Sequence, residues 1–308
     1  MTRRVLVTGV AGFIGGALAT RLACEADVVG IDNFFNSDPS RLPEGISFIE
    51  GDCQDPRVYA AIDGKFDVIY HVAGQASAAV SYDDPVYDLQ TNSQSTLALL
   101  DQMNRWECTR LIYASTMSVY GVQPDRPISE QDSCVPASFY GVGKIASEHY
   151  LRLYAELGIN STALRLFNVY GPGQNLENLR QGMVSIYLAQ ALKCGHIEVK
   201  GSPKRYRDFT YIDDVVDAFL QCSENSVAYG KIYNVGTGRR MTVEALIAQI
   251  NSVLNGDITV SYHDETSGDQ FGIFADASLI YQDVGWCSKV AVEEGLQMMV
   301  EWAKTTQF

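Results

Sequence analysis

Short apolar segments alternate with amphipathic ones along the first half of the chain. Residues 5–8 form the first apolar segment, which ends at Gly9 and precedes a helical pattern over 17–22. Similar segments, each closed by glycine or polar residues, lie at 27–31, 46–50, 66–72, 110–114 and 161–166. Short buried strands that alternate with helices are typical of βαβ units. The pattern therefore predicts an α/β fold with a doubly wound parallel sheet.

Two longer helices are predicted between these strands. One extends over about residues 86–106 and has Leu97, Leu100 and Met103 on an apolar stripe. The other extends over about residues 137–155.

The second half of the chain is less regular. Helices are expected at 180–193, 213–222 and 242–254, the last with Thr242 as N-cap, and short strands at 197–199 and 231–235. We therefore divide the chain into a larger domain and a smaller lobe. The domain is predicted to comprise residues 1–170 with 207–238 returning to it, and the lobe residues 171–206 and 239–308.

The turn after the first strand contains three evenly spaced glycines. Residues 9–15 read GVAGFIG, so Gly9, Gly12 and Gly15 are three positions apart. Between a strand and a helix, such glycines permit a tight turn and let backbone N–H groups, here near Phe13 and Ile14, approach a pyrophosphate. The competing interpretation is a glycine-rich turn without a ligand. The strand and helix on either side favour a dinucleotide site.

Asp32 ends the second predicted strand. An acidic residue there accepts hydrogen bonds from an adenosine ribose and repels a 2′-phosphate, so NAD is favoured over NADP. The alternative is a loop cap, since Asn33 and Asn36 also suit a loop. Small residues at the ends of the third and fourth strands would let a flat cofactor lie against the backbone. The further predicted cofactor contacts are Asn33, Asp52, Cys53, Val72, Ala73 and Gly74.

Tyr140 and Lys144 lie four positions apart in the second long helix, so their side chains share one face. A lysine charge beside a phenol favours its ionised form, which a phenol with a pKa near 10 needs in order to act as a base at neutral pH. Such pairs also occur by chance on many helices. The remaining motifs must decide whether this pair is catalytic.

Charge and composition exclude several functional classes. The net charge of −14 disfavours a nucleic-acid or anionic-membrane partner, which would need a basic face. The seven cysteines are an odd number without a Cys-x-x-Cys pair, which disfavours both a disulfide framework and a zinc site. The four histidines have no metal-ligand spacing and are expected to be structural or exposed. With neither a signal peptide nor a membrane-length apolar segment, we expect a reduced cytoplasmic protein.

Taken together, these motifs closely resemble the extended short-chain dehydrogenase/reductase family, and within it the NAD-dependent nucleotide-sugar epimerases and dehydratases. The resemblance covers the chain to about residue 305. Besides the glycines, Asp32 and Asp52, it is carried by 71–74 (HVAG), 115–121 (STMSVYG), Tyr140 with Lys144, 164–172 (LRLFNVYGP) and 207–209 (RDF). It implies a Rossmann-type domain with NAD and a smaller C-terminal α/β lobe that binds the nucleotide-sugar.

The resemblance also implies a mechanism and a catalytic set. Tyr140 takes the proton of the sugar C4 hydroxyl while a hydride passes to nicotinamide. Lys144 lowers the pKa of Tyr140 and holds the nicotinamide ribose, and Tyr140 and Lys144 are both also expected to contact the cofactor. Thr116 hydrogen-bonds the reacting oxygen. In an epimerase the 4-keto intermediate then takes the hydride back on its other face. NAD is therefore not consumed.

Substrate contacts follow from the same resemblance. Asn168 matches a residue near the nucleotide diphosphate, and Arg207 an arginine that binds it. Gln75, Ser115, Thr116, Arg180 and Asp269 complete the predicted set. A second phosphate-binding arginine of the family is replaced here by Thr266. Arg180, Lys204 and Arg205 are the candidates to substitute for it.

These features favour a 4-epimerase that acts on a UDP-hexose. The 4,6-dehydratases of the family carry an Asp-Glu pair where this chain has Met117 and Ser118, which disfavours dehydration. The alternatives are a UDP-uronate epimerase or decarboxylase, a 4-keto reductase, and a non-catalytic NAD-binding sensor. Relatives of this type form homodimers through two helices per subunit, here about 86–106 and 138–156. The stripe at Leu97 could equally face the subunit's own sheet.

Overall fold

A seven-stranded parallel sheet forms the centre of the computed structural model, which describes residues 2–263 and 271–306. The strands are β1 (Arg3–Thr8), β2 (Ala26–Asp32), β3 (Ser47–Glu50), β4 (Val68–His71), β5 (Arg110–Thr116), β6 (Asn160–Leu166) and β11 (Ile232–Val235). Their spatial order is β3-β2-β1-β4-β5-β6-β11. The strand order reverses between β1 and β4, and ligands bind at such a point in open α/β sheets. The predicted parallel sheet is confirmed.

Three further strand pairs lie outside this sheet. The short strands are β7 (Val169–Tyr170), β8 (His196–Lys200), β9 (Tyr206–Arg207), β10 (Thr210–Tyr211), β12 (Met241–Thr242) and β13 (Thr259–His263). β8 and β13 pair in parallel, as do β7 and β10, whereas β9 and β12 are antiparallel. β11 lies beside β6 although it follows β8–β10 in the chain. The division into two domains remains a prediction.

Eleven α-helices pack around the sheets in the part of the chain that the structure describes. They are α1 (Phe13–Leu22), α2 (Pro56–Ala60), α3 (Ala78–Asp83), α4 (Pro85–Leu89), α5 (Ser95–Met103), α6 (Phe139–Ala155), α7 (Met183–Cys194), α8 (Ile212–Glu224), α9 (Val243–Leu254), α10 (Ser278–Val284) and α11 (Val292–Thr305). Within residues 2–263 and 271–306, no helix combines the length and the apolar character needed to cross a bilayer.

Helices cover both faces of the main sheet because its strands are apolar on both sides. Val5 of β1 packs in one core with Leu18 of α1 and Phe219 of α8. Its neighbour Leu6 packs in a second core with Leu99 of α5. Successive strand residues point to opposite faces, so a continuous apolar run supplies both cores. This is why the short unbroken apolar segments predicted a buried parallel sheet.

The predicted helix over 86–106 is wrong as a single element. The structure has α4, a π-helical turn at Gln90–Gln94 and then α5, which ends at Met103. Polar side chains bond back to the carbonyls of this turn: Ser95 Oγ donates to Thr91 O at 2.5 Å and Thr96 Oγ1 to Asn92 O at 2.8 Å. Such back-bonding competes with regular helical hydrogen bonds. π-Turns inside helices are frequent at functional sites.

Other helix predictions succeed or fail for visible reasons. Thr242 is the N-cap of α9, as predicted, and its hydroxyl accepts from Ala245 N at 3.2 Å. α11 was not predicted, although its buried residues recur at helical spacing: Leu296, Met299, Val300 and Ala303. β13 was not predicted either. Its strand is mostly exposed, so its sequence has no buried apolar run.

Candidate active site

Tyr140 and Lys144 lie at the start of α6, beside the carboxyl end of β5. Ser138 caps the helix by accepting a hydrogen bond from Gly141 N at 3.1 Å. Tyr140 is 7% exposed and Lys144 4%. The Lys144 ammonium lies 6.0 Å from the centre of the Tyr140 ring. Thr116 is the last residue of β5, and its hydroxyl is near enough to Tyr140 to lower the pKa of the phenol, so the structure brings the three predicted catalytic side chains together.

Burial dominates the ionisation of this pair. It raises the pKa of Tyr140 to about 12, and the hydrogen bond from Thr116 only partly opposes the rise. Burial also lowers the pKa of Lys144 to about 8, against the opposing charges of Asp88 and Glu148. The pKa of Tyr140 is therefore raised, and not lowered as expected from its neighbour Lys144. Desolvation of a phenolate outweighs an ammonium at this distance.

Ser115 faces the opposite side of the sheet from Thr116, because successive residues of β5 face opposite sides. Its hydroxyl donates to Glu148 Oε1 at 2.5 Å. Arg165 of β6 holds both oxygens of the same carboxylate, through Nε at 3.0 Å and Nη2 at 2.7 Å. The Glu148 and Arg165 side chains are 2% and 4% exposed. The structure thus places Ser115 in a buried ion-pair network, not beside Thr116.

The glycine turn is tightly packed at the positions predicted to contact a cofactor. A Cβ on Gly15 would lie 2.0 Å from Gly9 O, and one on Gly9 would lie 2.9 Å from Ala73 Cα. Gly9 also has a φ of +73°. Gly12 is the N-cap of α1 and has no side chain to accept from the first-turn N–H groups. Those N–H groups suit an anion such as a pyrophosphate.

Asp32 is held rigidly at the end of β2. Its Oδ2 accepts from Ala11 N at 3.0 Å, and its Oδ1 from Phe34 N at 2.9 Å and Ser37 Oγ at 3.0 Å. The carboxylate therefore caps its own loop, as the alternative interpretation supposed, and still has free lone pairs. It is 8% exposed and cannot turn away from a ligand without breaking these bonds. A 2′-phosphate beside it would be repelled.

The predicted cofactor contacts line two neighbouring cavities. One, of about 130 Å³, is lined by Gly12, Asp32, Asn33, Asp52, Cys53, Ala73, Gly74 and Gln75, among others. The other, of about 180 Å³, is lined by Gly9, Gly12, Phe13, Ile14, Gly15, Val72 and Gly74, among others. Gly12 and Gly74 belong to both. A carboxylate at one end and glycine backbone at the other fit the ribose and pyrophosphate of a dinucleotide.

A buried amide adds to this fit. Asn92 is 1% exposed, and its Oδ1 has no hydrogen-bond partner among the described residues. A Cβ on Gly74 would lie 2.5 Å from this oxygen and 3.3 Å from Lys144 Nζ. The unpartnered Asn92 oxygen thus faces Gly74, which lines both cavities. No motif in the sequence pointed to Asn92. Its only signal was the polar run at residues 90–95 within an otherwise amphipathic segment.

The predicted substrate contacts are scattered in the structure. Asn168 donates through Nδ2 to Asp208 O at 3.0 Å and to Met117 Sδ at 3.4 Å. Arg207 is buried, and its Nη1 donates to Tyr206 O at 2.8 Å. Burial and the charge of Arg205 lower the pKa of Arg207 to about 10, so it remains a cation at neutral pH.

The three candidates for the missing arginine differ in their surroundings. Arg180 is exposed and forms an ion pair with Asp83 at the surface. Lys204 is exposed, whereas Arg205 is buried next to Arg207 and donates to Ser202 O at 3.3 Å. The predicted contact at Asp269, and Thr266 itself, lie outside the described residues.

His71 is structural, as its lack of metal-ligand spacing suggested. Its Nδ1 hydrogen-bonds with Thr8 Oγ1 at 2.8 Å and its Nε2 with Thr96 Oγ1 at 3.1 Å. Burial lowers the pKa of His71 to about 3, so the ring is neutral. The ring connects β1, β4 and α5 directly beneath the site.

Known proteins resemble this chain over its whole length. UDP-glucose 4-epimerase of Mycolicibacterium smegmatis is 32% identical over 309 residues, which cover 97% of this chain and 98% of the relative. The crystal structure of UDP-glucose 4-epimerase from Thermotoga maritima with UDP-glucose matches with a TM-score of 0.93 and 31% identity, over 99% of this chain and 100% of that one.

A third similar protein differs in its sugar. UDP-glucuronic acid 4-epimerase from Bacillus cereus, in complex with UDP-glucuronic acid and NAD, matches with a TM-score of 0.89 and 26% identity, over 98% of this chain and 99% of that one. The family model described as the NAD dependent epimerase/dehydratase family matches residues 5–236. The chain therefore belongs to the NAD dependent epimerase/dehydratase family and is an enzyme with NAD as its cofactor.

Proposed function

We propose that this enzyme is a nucleotide-sugar 4-epimerase that acts on a UDP-hexose. The observation that carries the proposal is the meeting of Thr116, Tyr140 and Lys144 at one edge of the sheet, beside the two cavities suited to a dinucleotide. Relatives that act on UDP-glucose match the chain over nearly its full length. An idle NAD-binding sensor would have no need of these three side chains.

The three residues divide the work on the reacting oxygen. Tyr140 takes the proton of the C4 hydroxyl and returns it to the same oxygen when the 4-keto intermediate is reduced on its other face. Thr116 places the reacting oxygen beside the phenol, while the Lys144 charge favours the phenolate. NAD held by the glycine turn and Asp32 would supply a reversible hydride acceptor for C4. Because the pKa of the Tyr140 phenol is about 12, its phenolate is rarely formed at neutral pH. Once formed, the phenolate is a strong base toward an alcohol.

The two positions that carry an acid pair in the dehydratases, Met117 and Ser118, offer no acid for dehydration. Met117 Sδ accepts a hydrogen bond from Asn168, and Ser118 N donates to Thr116 Oγ1 at 3.2 Å. Neither side chain can protonate a leaving hydroxyl at neutral pH. Arg205 and Arg207, which are both buried, are the cations we assign to the substrate diphosphate.

A UDP-uronate is the second candidate substrate. The B. cereus enzyme acts on UDP-glucuronic acid and matches almost the whole chain. A coupled screen of UDP-, GDP-, CDP- and dTDP-sugars with product NMR separates the possibilities. We expect UDP-hexose epimers to form without added NADH. Epimerisation of UDP-glucuronate alone, carbon dioxide release, or a stoichiometric need for NADH would each replace this proposal by another.

Replacing Asp32 by asparagine is expected to reduce the preference for NAD over NADP by about 10- to 100-fold, as the loss of a charge-assisted hydrogen bond implies. Dissociation constants for both dinucleotides, measured by calorimetry, provide the test. Asp27→Asn is the matched control, because Asp27 lies on the same strand but pairs with Arg4 at the surface. An unchanged ratio in Asp32→Asn would show that Asp32 acts only as a loop cap.

We further propose that the enzyme is a homodimer. Exposed apolar side chains cluster on α3, α4 and the start of α6: Tyr82, Val86, Leu89, Phe139 and Val142. Leu100 and Met103 of the predicted stripe instead pack into the subunit's own core. The exposed cluster, and not that stripe, is the surface we expect to be covered.

A charge within this cluster is expected to produce monomers. In Val86→Glu, a carboxylate would have to be buried at the interface, whereas Val227→Glu, at a similarly exposed site in a short helical turn, should leave the dimer intact. Sedimentation velocity measures both. A monomeric native protein, or a dimer unaffected by Val86→Glu, would refute this surface.

All seven cysteines are free thiols, which agrees with the reducing cytoplasm we propose as its location.

A further inference from the structure

We propose that Asp88 is a positioning residue for the reaction, which keeps the Lys144 ammonium charged and fixes the amide of Asn92 beside it. The inference rests on the proposed function, in which Lys144 acts as a cation next to Tyr140. Asp88 lies in α4 and belongs to none of the motifs that carried the sequence analysis.

Asp88 is a buried carboxylate pressed against the catalytic helix. It is 1% exposed, and its Oδ1 accepts from Gln75 Nε2 at 2.8 Å and from Asn92 Nδ2 at 3.1 Å. Its Oδ2 faces Gly143, where a Cβ would lie 3.5 Å from that oxygen. Because position 143 has no side chain, the carboxylate approaches α6 one residue before Lys144.

The hydrogen bonds of Asn92 fix the direction of its amide. Nδ2 donates to Asp88 Oδ1 and also to Gln75 O at 3.0 Å, so both of its hydrogens are used on one side. Oδ1 must then point the other way, toward Gly74 and Lys144 Nζ. A neutral residue at position 88 would release this constraint. The Asn92 acceptor would no longer be held at Gly74 beside the Lys144 ammonium.

Two carboxylates act on Lys144, but only one has an uncompensated charge. Glu148, one turn along α6, is held by Arg165 at 2.7 and 3.0 Å, so its charge is largely cancelled. Among the described residues, no cationic side-chain nitrogen lies within 4.0 Å of the Asp88 carboxylate. Its charge is therefore the one left to stabilise the buried ammonium.

Among the residues that the structure describes, the other groups around Lys144 carry no charge that could replace that of Asp88. His71 of β4 is neutral because burial lowers its pKa to about 3. Tyr113 of β5 presents its ring 4.8 Å from Lys144 Nζ, and burial raises the pKa of its phenol well above the usual value. With a pKa of about 12, Tyr140 is mostly a neutral phenol at neutral pH. Burial already lowers the pKa of Lys144 to about 8, close to the working range.

The test is a titration of Lys144 itself, with NAD saturating. Protein labelled with ε-¹³C-lysine is titrated by NMR from pH 6 to 10, and the Lys144 signal is assigned by its loss in Lys144→Met. In Asp88→Asn we expect the midpoint to fall by about one pH unit, as expected for loss of an opposite charge nearby. Asp88→Glu should retain most of the wild-type midpoint. Asp101→Asn, which removes a surface carboxylate bonded to Tyr154, is the control.

The activity profile gives a second readout. Because the reaction needs charged Lys144, the alkaline limb of kcat/KM should move to lower pH in Asp88→Asn by the same amount as the NMR midpoint. If Asp88→Asn does not fold, Asp88→Ser serves as the neutral variant. An unchanged Lys144 midpoint in the neutral variant overturns the inference. A shifted midpoint in a protein that epimerises no nucleotide-sugar would instead overturn the proposed function and leave the charge relation intact.

Discussion

Replacing Tyr140 by phenylalanine is expected to lower kcat by about 10²- to 10⁴-fold, the usual contribution of one general acid–base group. The phenol is 7% exposed, so its removal leaves no room for bulk water to act in its place. The ring, and with it the packing of α6 against β5, is retained. Initial rates of epimerisation at saturating substrate provide the measurement. NAD content, determined on the denatured protein, should equal that of the wild type.

A matched control is available on the neighbouring helix. Tyr82 is exposed, and its hydroxyl donates to Ala137 O at 2.6 Å, away from the sheet edge. Tyr82→Phe should therefore leave kcat within about twofold, the change expected for the loss of a peripheral hydrogen bond. If Tyr140→Phe kept more than about a tenth of wild-type activity, less than a tenfold loss, it would not be the base. If it lost NAD as well, the residue would be needed for cofactor binding, and the assignment of a purely chemical role would fail.

Replacing Arg165 by methionine is expected to cost about 3–5 kcal/mol of unfolding free energy, because it leaves the Glu148 carboxylate buried without its counter-ion. The pair is almost fully buried, and the guanidinium also lies 4.7 Å from the centre of the Tyr120 ring. Ser115 alone cannot compensate a buried charge. Urea unfolding followed by circular dichroism, with Arg165→Met and wild type at the same pH, measures the change in unfolding free energy.

Two further variants show whether the charge, and not merely the packing, is responsible. Arg165→Met combined with Glu148→Met removes both ions and should be less destabilised than Arg165→Met alone. Arg126→Met breaks an exposed pair with Asp132 and should cost less than about 1 kcal/mol. A double variant as unstable as the single one would mean that shape, and not the stranded charge, dominates at this position.

Much of the fold could be read from local patterns because parallel strands are buried on both faces. The apolar segment at 161–166 became β6 and the segment at 110–114 the core of β5, each extended by one or two residues. Prediction failed where the local signal was weak or misleading. The interruption between α4 and α5 depends on side-chain bonds to carbonyls, which periodicity does not report.

The candidate site shows the same division. Tyr140, Lys144 and Thr116 were identified by spacing and by resemblance, and the glycines by their position between a strand and a helix. Asp88 and Asn92 were not, because an acid or amide in a helix has no recognisable signal until its burial is known. Ser115 was assigned from its place next to Thr116, although the alternation of a strand sends it to the opposite face.

The sequence by itself determined the alternation of strands and helices in the first half of the chain, the glycine turn, the acid at the end of β2 and the helical spacing of Tyr140 and Lys144. These depend on neighbours within about a helical turn, or on a strand's own alternation. Only the tertiary structure decided which charges act on that pair. Desolvation and the pairing of Glu148 with Arg165 come from elements far apart in the chain. That packing leaves Asp88 as the uncompensated carboxylate beside Lys144 and makes burial, not Lys144, the main influence on the pKa of Tyr140.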